Sequence, residues 1–466
     1  MPPSIGELTS LKTLNIFVVG KGRGSRLKEL GTLKLKGELH IKHVERVTSV
    51  ADAEEANMGD KDLHHLLLSW DRVEESRLQG KYVEQVLEVL QPSAHYLQIL
   101  RLGGYPGVRF PQWMGSPSLK DLCHVVIVDC KNSSSLPTLG KLPSLKRLEI
   151  SNINHLTYLD NETYDNTGGF MALELLLLDK LPNLVRLSRE EGENMFPVLS
   201  ELHIYECPEL SLPSLPSLKE LIVRGKCHQG LLNSIYKLHS LEFLAFYGSD
   251  EESPRFPNGV LKELVSLKKL WLRNLSRLDV LTYGIMKLST IQELYIINFD
   301  NLETLPDHVL EGLQSLKVLQ IERNKKFKLS AGFQHLTFLK QLRIIKCPEV
   351  EGFPEALQHM TALQSLTVYD LPNLKSLPDW LGNLVLLDSL RIAKCPKLTC
   401  FPTSIKSLGN LKSLRIEECP ELSKRCETGT GKDWPLIAHV PEVHHFPKCH
   451  FPDRIFLYLP INMEGV

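Results

Sequence analysis

Leu336-Thr337-Phe338-Leu339-Lys340-Gln341-Leu342-Arg343-Ile344 is the stretch from which the fold can be read. Apolar residues stand at its positions 1, 4, 7 and 9. The same phrase returns at Leu313-Leu316-Leu319-Ile321, Met360-Leu363-Leu366-Val368, Leu384-Leu387-Leu390-Ile392 and Leu408-Leu411-Leu414-Ile416. Counted on the third anchor, successive spacings are 23, 24, 24 and 24 residues. Two anchors two residues apart share one face of a strand, because strand side chains alternate. Leu342 and Ile344 therefore point inward, while Gln341, Arg343 and Ile345 point the other way. One such strand cannot bury its inner face, but identical coils stacked at about 4.8 Å cover one another and form a parallel ladder.

Followed backwards, the third anchor falls on Leu294, Leu270, Leu244, Leu221, Leu202, Leu176, Leu148, Val125, Leu100, Leu66, Leu39 and Leu14, with spacings from 19 to 34 residues. About seventeen coils are expected over residues 1–426, irregular in 1–170 and regular in 288–422, with 427–466 as a C-terminal cap or flexible tail. Leu136-Pro137, Leu305-Pro306, Phe353-Pro354, Leu377-Pro378 and Phe401-Pro402 follow the strands. Proline lacks an N–H and is excluded from a central ladder, so this half of each coil is placed on a convex wall of short 3₁₀ or irregular turns. Thick return segments against closely spaced strands imply a right-handed horseshoe.

Composition agrees. The chain holds 86 leucines in 466 residues, the excess that a repeat architecture requires. With 54 Lys+Arg against 55 Asp+Glu the formal charge is −1, which removes the basic footprint of a general nucleic-acid binder. An apolar fraction of 42% removes the signature of disorder. No run of 18 apolar residues offers a membrane span, and Met1-Pro2-Pro3-Ser4-Ile5-Gly6 lacks the form of a secretory signal. A cytoplasmic setting is expected, in which the ten cysteines are thiols.

The pattern resembles leucine-rich-repeat proteins, and several segments resemble the repeats that follow the nucleotide-binding module in plant disease-resistance proteins of the coiled-coil type. They are Met1-Pro2-Pro3-Ser4-Ile5-Gly6-Glu7-Leu8-Thr9-Ser10-Leu11, Leu35-Lys36-Gly37-Glu38-Leu39-His40-Ile41, Arg109-Phe110-Pro111-Gln112-Trp113-Met114 and Leu139-Gly140-Lys141-Leu142-Pro143-Ser144-Leu145. The Cys-Pro-x-Leu units and the closing Asp433-Trp434-Pro435-Leu436-Ile437-Ala438-His439-Val440-Pro441 complete the set. The resemblance implies an α/β repeat solenoid: a leucine-rich-repeat horseshoe with a concave parallel β-sheet and a convex side of short 3₁₀/α turns. It further implies a protein-recognition module of an intracellular immune receptor, which senses pathogen effectors and helps hold an upstream nucleotide-binding switch off. That switch lies outside this sequence, so ADP or ATP is implied only for it, no cofactor is expected here, and the chain reads as a receptor fragment or a truncated relative. The expected partners are proteins: an effector or a guarded host protein, and the nucleotide-binding module. The competing reading is a substrate-recruiting adaptor of a ubiquitin ligase, a family that would show a helical segment before the repeats and longer convex helices.

Motifs with other chemistry are weak. Cys130, Cys207, Cys347, Cys395 and Cys419 sit three residues after the last strand anchor, where other coils place Leu181, Leu275, Leu371 or Ile153; this exchange marks a buried apolar slot. Cys395 and Cys419 fall on neighbouring coils within disulfide reach, although the slot argues for packing. Cys426, His439, His444, His445, Cys449 and His450 match no structural-zinc spacing, so no metal is expected there. Gly20-Lys21-Gly22-Arg23-Gly24-Ser25 lacks the phosphate-loop spacing and reads as a connection, as does Gly429-Thr430-Gly431-Lys432. Sequons at Asn132, Asn161 and Asn274 are of the kind chance supplies. No catalytic constellation appears, and no enzyme is expected.

If the ladder is right, binding falls to outward strand positions: Phe243, Tyr247, Trp271, Arg273 and Tyr295, then Arg343, Tyr369, Arg391 and Arg415. Aromatic and arginine side chains dominate interface hot spots. The alternative for the same residues is packing against one another as cross-strand neighbours.

Overall fold

Each repeat phrase becomes a short strand, a left-handed turn and a return segment. A computed structural model describes residues 4–71, 80–160, 169–189, 195–226, 229–248, 260–275, 288–299 and 301–446. The chain falls into two compact units, Met1–Ser266 and Leu267–Val466.

In the second unit the strands Lys269–Arg273, Glu293–Ile297, Val318–Glu322, Gln341–Ile345, Ser365–Tyr369, Ser389–Ala393 and Ser413–Glu417 pair in parallel, each with the next. Leu342 stands opposite Leu319 and Leu366, and Ile344 opposite Ile321 and Val368, in the register that the repeat spacing dictates. All six side chains are buried. Burying each is worth roughly 1.5–3 kcal/mol, summed along the stack. The ladder runs on past Cys426, because Glu442–Phe446 pairs in parallel with Ser413–Glu417 and sets Val443 opposite Leu414. A short helix, Trp434–Ile437, precedes that strand.

The return segments carry the expected 3₁₀ turns. Glu355–His359, Asp379–Asn383 and Thr403–Ser407 each begin directly after Pro354, Pro378 and Pro402, whose fixed φ near −65° suits the residue before a turn of this hand. In the coil before these a 3₁₀ turn, Ala331–His335, follows Ser330, and one coil earlier still the place after Pro306 holds a six-residue α-helix, Asp307–Gly312.

The first unit builds a parallel ladder of its own from Ile16–Val18, Lys36–Lys42, Asp62–Ser69, Ile99–Gly103, His124–Val128, Arg147–Ser151, Leu175–Asp179, Glu201–Tyr205, Glu220–Arg224 and Phe243–Tyr247. Anchors from Leu39 to Leu244 are buried and in register, despite their uneven spacing. The first coil differs from expectation. Ile16 pairs with His40 and Phe17 with Ile41, so Phe17 and Val19 fill the core while Leu14 is half-exposed and Ile16 is exposed. An end strand has one neighbour only, and its pairing with Lys36–Lys42 sets Phe17, the largest of these side chains, opposite the buried Ile41. A two-stranded sheet, Tyr158–Asp160 with Arg186–Ser188, lies apart from the ladder.

A residue with positive φ follows strand after strand: Asp129, Asn152, Lys180, Glu206, Asn298, Arg323, Lys346, Asp370, Lys394 and Glu418. The left-handed conformation costs a side-chain-bearing residue roughly 1–2 kcal/mol. The ladder offsets this: the N–H groups of Lys346, Asp370 and Lys394 donate to the carbonyls of Tyr369, Ala393 and Glu417 on the next coil at 2.8, 2.8 and 2.9 Å.

The slot that follows is buried, and it is more than apolar. The thiols of Cys207, Cys347, Cys395 and Cys419 each donate at 3.3 Å to the carbonyl two residues back, and Cys130 does so at 3.5 Å. Asn324 fills the same slot in its coil: Nδ2 donates to the carbonyls of Glu322 and Ile296, and Oδ1 accepts from the Phe299 N–H. Cysteine thus suits the slot as a small side chain with a weak donor. Burial pushes the thiols of Cys130 and Cys207 up to about 12 and that of Cys347 to about 11, which removes nucleophilic character. The eight described cysteines, Cys395 and Cys419 included, are free.

Candidate protein-interaction surface

Alternation along each strand leaves its first, third and fifth side chains on the open face of the sheet. In the second unit the third positions line up as Trp271, Tyr295, Gln320, Arg343, Thr367, Arg391, Arg415 and His444. Trp271 and Tyr295, register partners, lie with ring centroids 4.7 Å apart, tilted by 47°. Both remain half-exposed, as do Arg273 and Arg343, and Arg415 is exposed. The two roles weighed for these side chains are therefore compatible: the aromatic pair is held rigid by its own contact and still presents area.

Arg343 is oriented by amides, donating to Gln341 Oε1 at 3.2 Å and to Gln320 Oε1 at 3.5 Å, while Gln320 donates to Glu322 Oε2 at 2.8 Å. Burial raises the Glu322 carboxyl above its usual range, against the opposing pull of Arg323 and the Gln320 amide.

Two side chains read as displayed are covered instead. Tyr369 is 5% exposed, in a buried cluster with Ile345 and Ala393, which flank it on the neighbouring strands at the same fifth position. The Arg391 guanidinium carbon lies 5.8 Å and Lys394 Nζ 5.4 Å from its ring centre. Arg391 is 8% exposed and donates to Glu417 Oε2 at 2.8 Å. The fifth position ends the strand where the chain turns, and side chains on strands about 4.8 Å apart close over one another there. Sequence alternation gives the face of a residue and says nothing about such mutual covering.

In the first unit Phe243 and Tyr247 are half-buried on either side of Ala245, which is fully buried. The third-position row reads His40, Leu67, Arg101, Val126, Glu149, Leu177, His203, Ile222 and Ala245. Val126, Leu177 and Ile222 are nearly as buried as the inner anchors, so this face is largely apolar and self-covering. Its polar residues were not singled out by sequence reasoning, and Glu149 among them is tightly held. Glu149 accepts from Arg147 Nε at 2.6 Å and lies 3.0 Å from His124 Nε2. Burial pushes its carboxyl up, and these hydrogen bonds and charges outweigh it, holding the group down at about 2.

Among the tail residues, His439 Nε2 lies 3.2 Å from the Leu408 carbonyl. Asn161, Cys449 and His450, and the His445 side chain, lie outside the described residues.

A family model for R13L1/DRL21 leucine-rich repeats matches residues 27–153, which hold the ladder strands from Lys36–Lys42 to Arg147–Ser151. Putative disease resistance protein RGA1 of Solanum bulbocastanum is 38% identical over 284 residues, covering 59% of this chain and 28% of that one. Putative disease resistance RPP13-like protein 1 of Arabidopsis thaliana is 33% identical over 321 residues, covering 62% and 30%. The repeats are similar to those of plant disease-resistance proteins. This leucine-rich-repeat chain spans under a third of the length of these curated relatives. Among solved structures, a chain of the Toll–Spatzle complex of Drosophila matches with a TM-score of 0.53 at 15% identity, over 88% of this chain and 52% of that one, a likeness of leucine-rich-repeat fold alone. Among the described residues no helix is long and apolar enough to cross a membrane.

Proposed function

We propose that the chain is the recognition part of a plant intracellular immune receptor, without catalytic activity, and that it senses a pathogen effector or a guarded host protein through the open face of the second unit. The observation that carries this reading is the half-exposed Trp271–Tyr295 pair, followed on the same row by Arg343 and Arg415, in a repeat region similar to those of disease-resistance proteins. Rigid aromatic side chains lose little conformational freedom on binding, and together with arginine they supply most hot spots. A stable contact needs roughly 800 Å² per partner, about the area of several adjacent strands. In the same proposal the N-terminal coils contact an upstream nucleotide-binding module, ADP or ATP belongs to that module, and the receptor works in the cytoplasm.

The test is parallel proximity labelling in plant cells with the chain and with its W271A/Y295A variant, followed by titration of each protein recovered. The proposal expects a partner whose affinity falls by roughly thirtyfold or more in the variant, the size of a hot-spot loss of about 2 kcal/mol, at an unaltered melting profile. Unchanged affinity for every partner in a folded variant overturns it.

A further inference from the structure

The open face of the first unit carries a constellation that the recognition reading does not use. Glu201 and Glu220 are register partners at the first positions of neighbouring parallel strands, and His203 stands two residues after Glu201 on the same face. One ligand atom from each of the three lies within 4.8 Å of the others, and His203 Nε2 is 3.5 Å from Glu220 Oε1.

Two features of this cluster are unfavourable as they stand. The His203 side chain is 5% exposed, and its buried Nε2 has no hydrogen-bond partner. Its register partners on the flanking strands are Leu177 and Ile222, each 2% exposed, so the imidazole is flanked by apolar side chains, and Glu220 Oε1 at 3.5 Å makes no hydrogen bond with Nε2. A buried ring nitrogen left unsatisfied is destabilising. The second feature is the pair of carboxylates directly opposite each other, a like-charge arrangement that destabilises a ladder. Among the described residues neither Glu201 nor Glu220 pairs with a lysine or arginine.

We infer that Glu201, His203 and Glu220 form a binding site for a divalent transition-metal ion of the Zn²⁺ class. One ion would accept the Nε2 lone pair and one oxygen from each carboxylate, satisfying the buried nitrogen and separating the like charges at once. Imidazole with carboxylates suits Zn²⁺, Fe²⁺ or Mn²⁺, whereas Ca²⁺ and Mg²⁺ take all-oxygen sets. Ligand atoms around a tetrahedral ion at about 2.0–2.2 Å stand roughly 3.3 Å apart. Rotamer changes of the half-exposed Glu201 and Glu220 are enough to close the remaining gap to the fixed imidazole. Three protein ligands leave one coordination position on the open face for water or for a side chain of a bound protein. The inference does not depend on the immune reading, because it rests on the strand register alone.

Reduced full-length chain titrated with Zn²⁺ by calorimetry, and with Co²⁺ followed by absorption, tests the site. The expected result is one tight equivalent, with a Co²⁺ spectrum of nitrogen and oxygen ligation lacking a thiolate charge-transfer band. E201Q/E220Q changes two half-exposed side chains and should lower affinity by about tenfold or more per ligand; H203N should do the same from the buried side, and E201Q/E220Q carries the test should H203N not fold. Binding that survives E201Q/E220Q places the metal elsewhere, on His43, Glu45 and Asp71 or on cysteines, a thiolate band places it on cysteines, and either result overturns the inference. Absence of binding also overturns it.

Discussion

In the second unit each coil from the Lys269–Arg273 strand to the Ser413–Glu417 strand takes 23–25 residues and returns by nearly the same short route. In the first unit the spacing runs from 19 to 34. There the return holds a helix at Val50–Glu54, capped by Ser49 Oγ accepting from the Asp52 N–H, and a ten-residue helix at Gly80–Val89. The ladder is nonetheless continuous through both helical coils, and Leu39, Leu66 and Leu100 keep register. Lengthening a return segment costs little, since closure entropy grows only with the logarithm of loop length. What the stack fixes is the four anchors; the path between them is free.

Removing an anchor from each region should have the largest effect. Leu342→Ala in the regular unit and Leu66→Ala in the irregular one should each cost roughly 2–5 kcal/mol, since both side chains are fully enclosed at the same ladder position. Urea denaturation of the two variants reads this directly. A loss confined to Leu342→Ala would mean that the irregular coils are loosely held.

A feature confined to the first unit gives the next largest effect. Lys61 is fully buried and donates to the carbonyls of Leu30 and Leu33 at 2.8 and 3.1 Å. Burial, with a smaller repulsion from Lys34, lowers its ammonium to about 8 against a small opposing pull from Asp60. Below pH 8 folded and unfolded chains both hold this proton; between 8 and 10.5 only the unfolded chain keeps it. Stability should therefore rise over that window by roughly 3 kcal/mol relative to Lys61→Met, measured by denaturation at a series of pH values. Parallel pH profiles for protein and variant would refute it.

Two carboxylates sharpen the contrast further. Glu149, held near 2 in the first unit, stabilises the fold above the unfolded value of 4.5, and that contribution is lost as pH falls from 4.5 towards 2. Glu149→Gln should flatten this arm by about 1–3 kcal/mol, the lower end reflecting partial solvation. Glu322 in the second unit is raised, so its folded form holds a proton above 4.5 and stability falls as pH climbs past that point. Glu322→Gln should remove a slope of the opposite sign. Slopes of equal sign in the two variants would contradict these assignments.

The ladder was legible because period two within a strand and period 24 between strands are properties of spacing. The prolines were legible for the same reason: a missing N–H has one consequence wherever it falls. The first coil misled because Leu8-Leu11-Leu14-Ile16 satisfies the phrase, while the pairing of Ile16–Val18 with the next strand sets Phe17 opposite Ile41 and buries Phe17 and Val19 instead. The left-handed residues escaped because Lys346, Asp370 and Lys394 are not the glycines that such a turn favours; the next coil's carbonyls impose the conformation. Tyr369 and Arg391 were put on the right face and lost to mutual covering. Glu201, His203 and Glu220 were visible only as Glu-x-His on one coil and a second Glu at the same position on the next, a signal that exists once the register is known.

The register hides Leu342 and Ile344 and displays Arg343. Single cysteine substitutions at positions 342, 343, 344 and 345, treated with a maleimide under native conditions and located by mass spectrometry, test it most directly. The account predicts rapid labelling of R343C alone, with L342C and I344C protected in the core and I345C protected by Tyr369 and its neighbours. Labelling of L342C or I344C at the rate of R343C would contradict it.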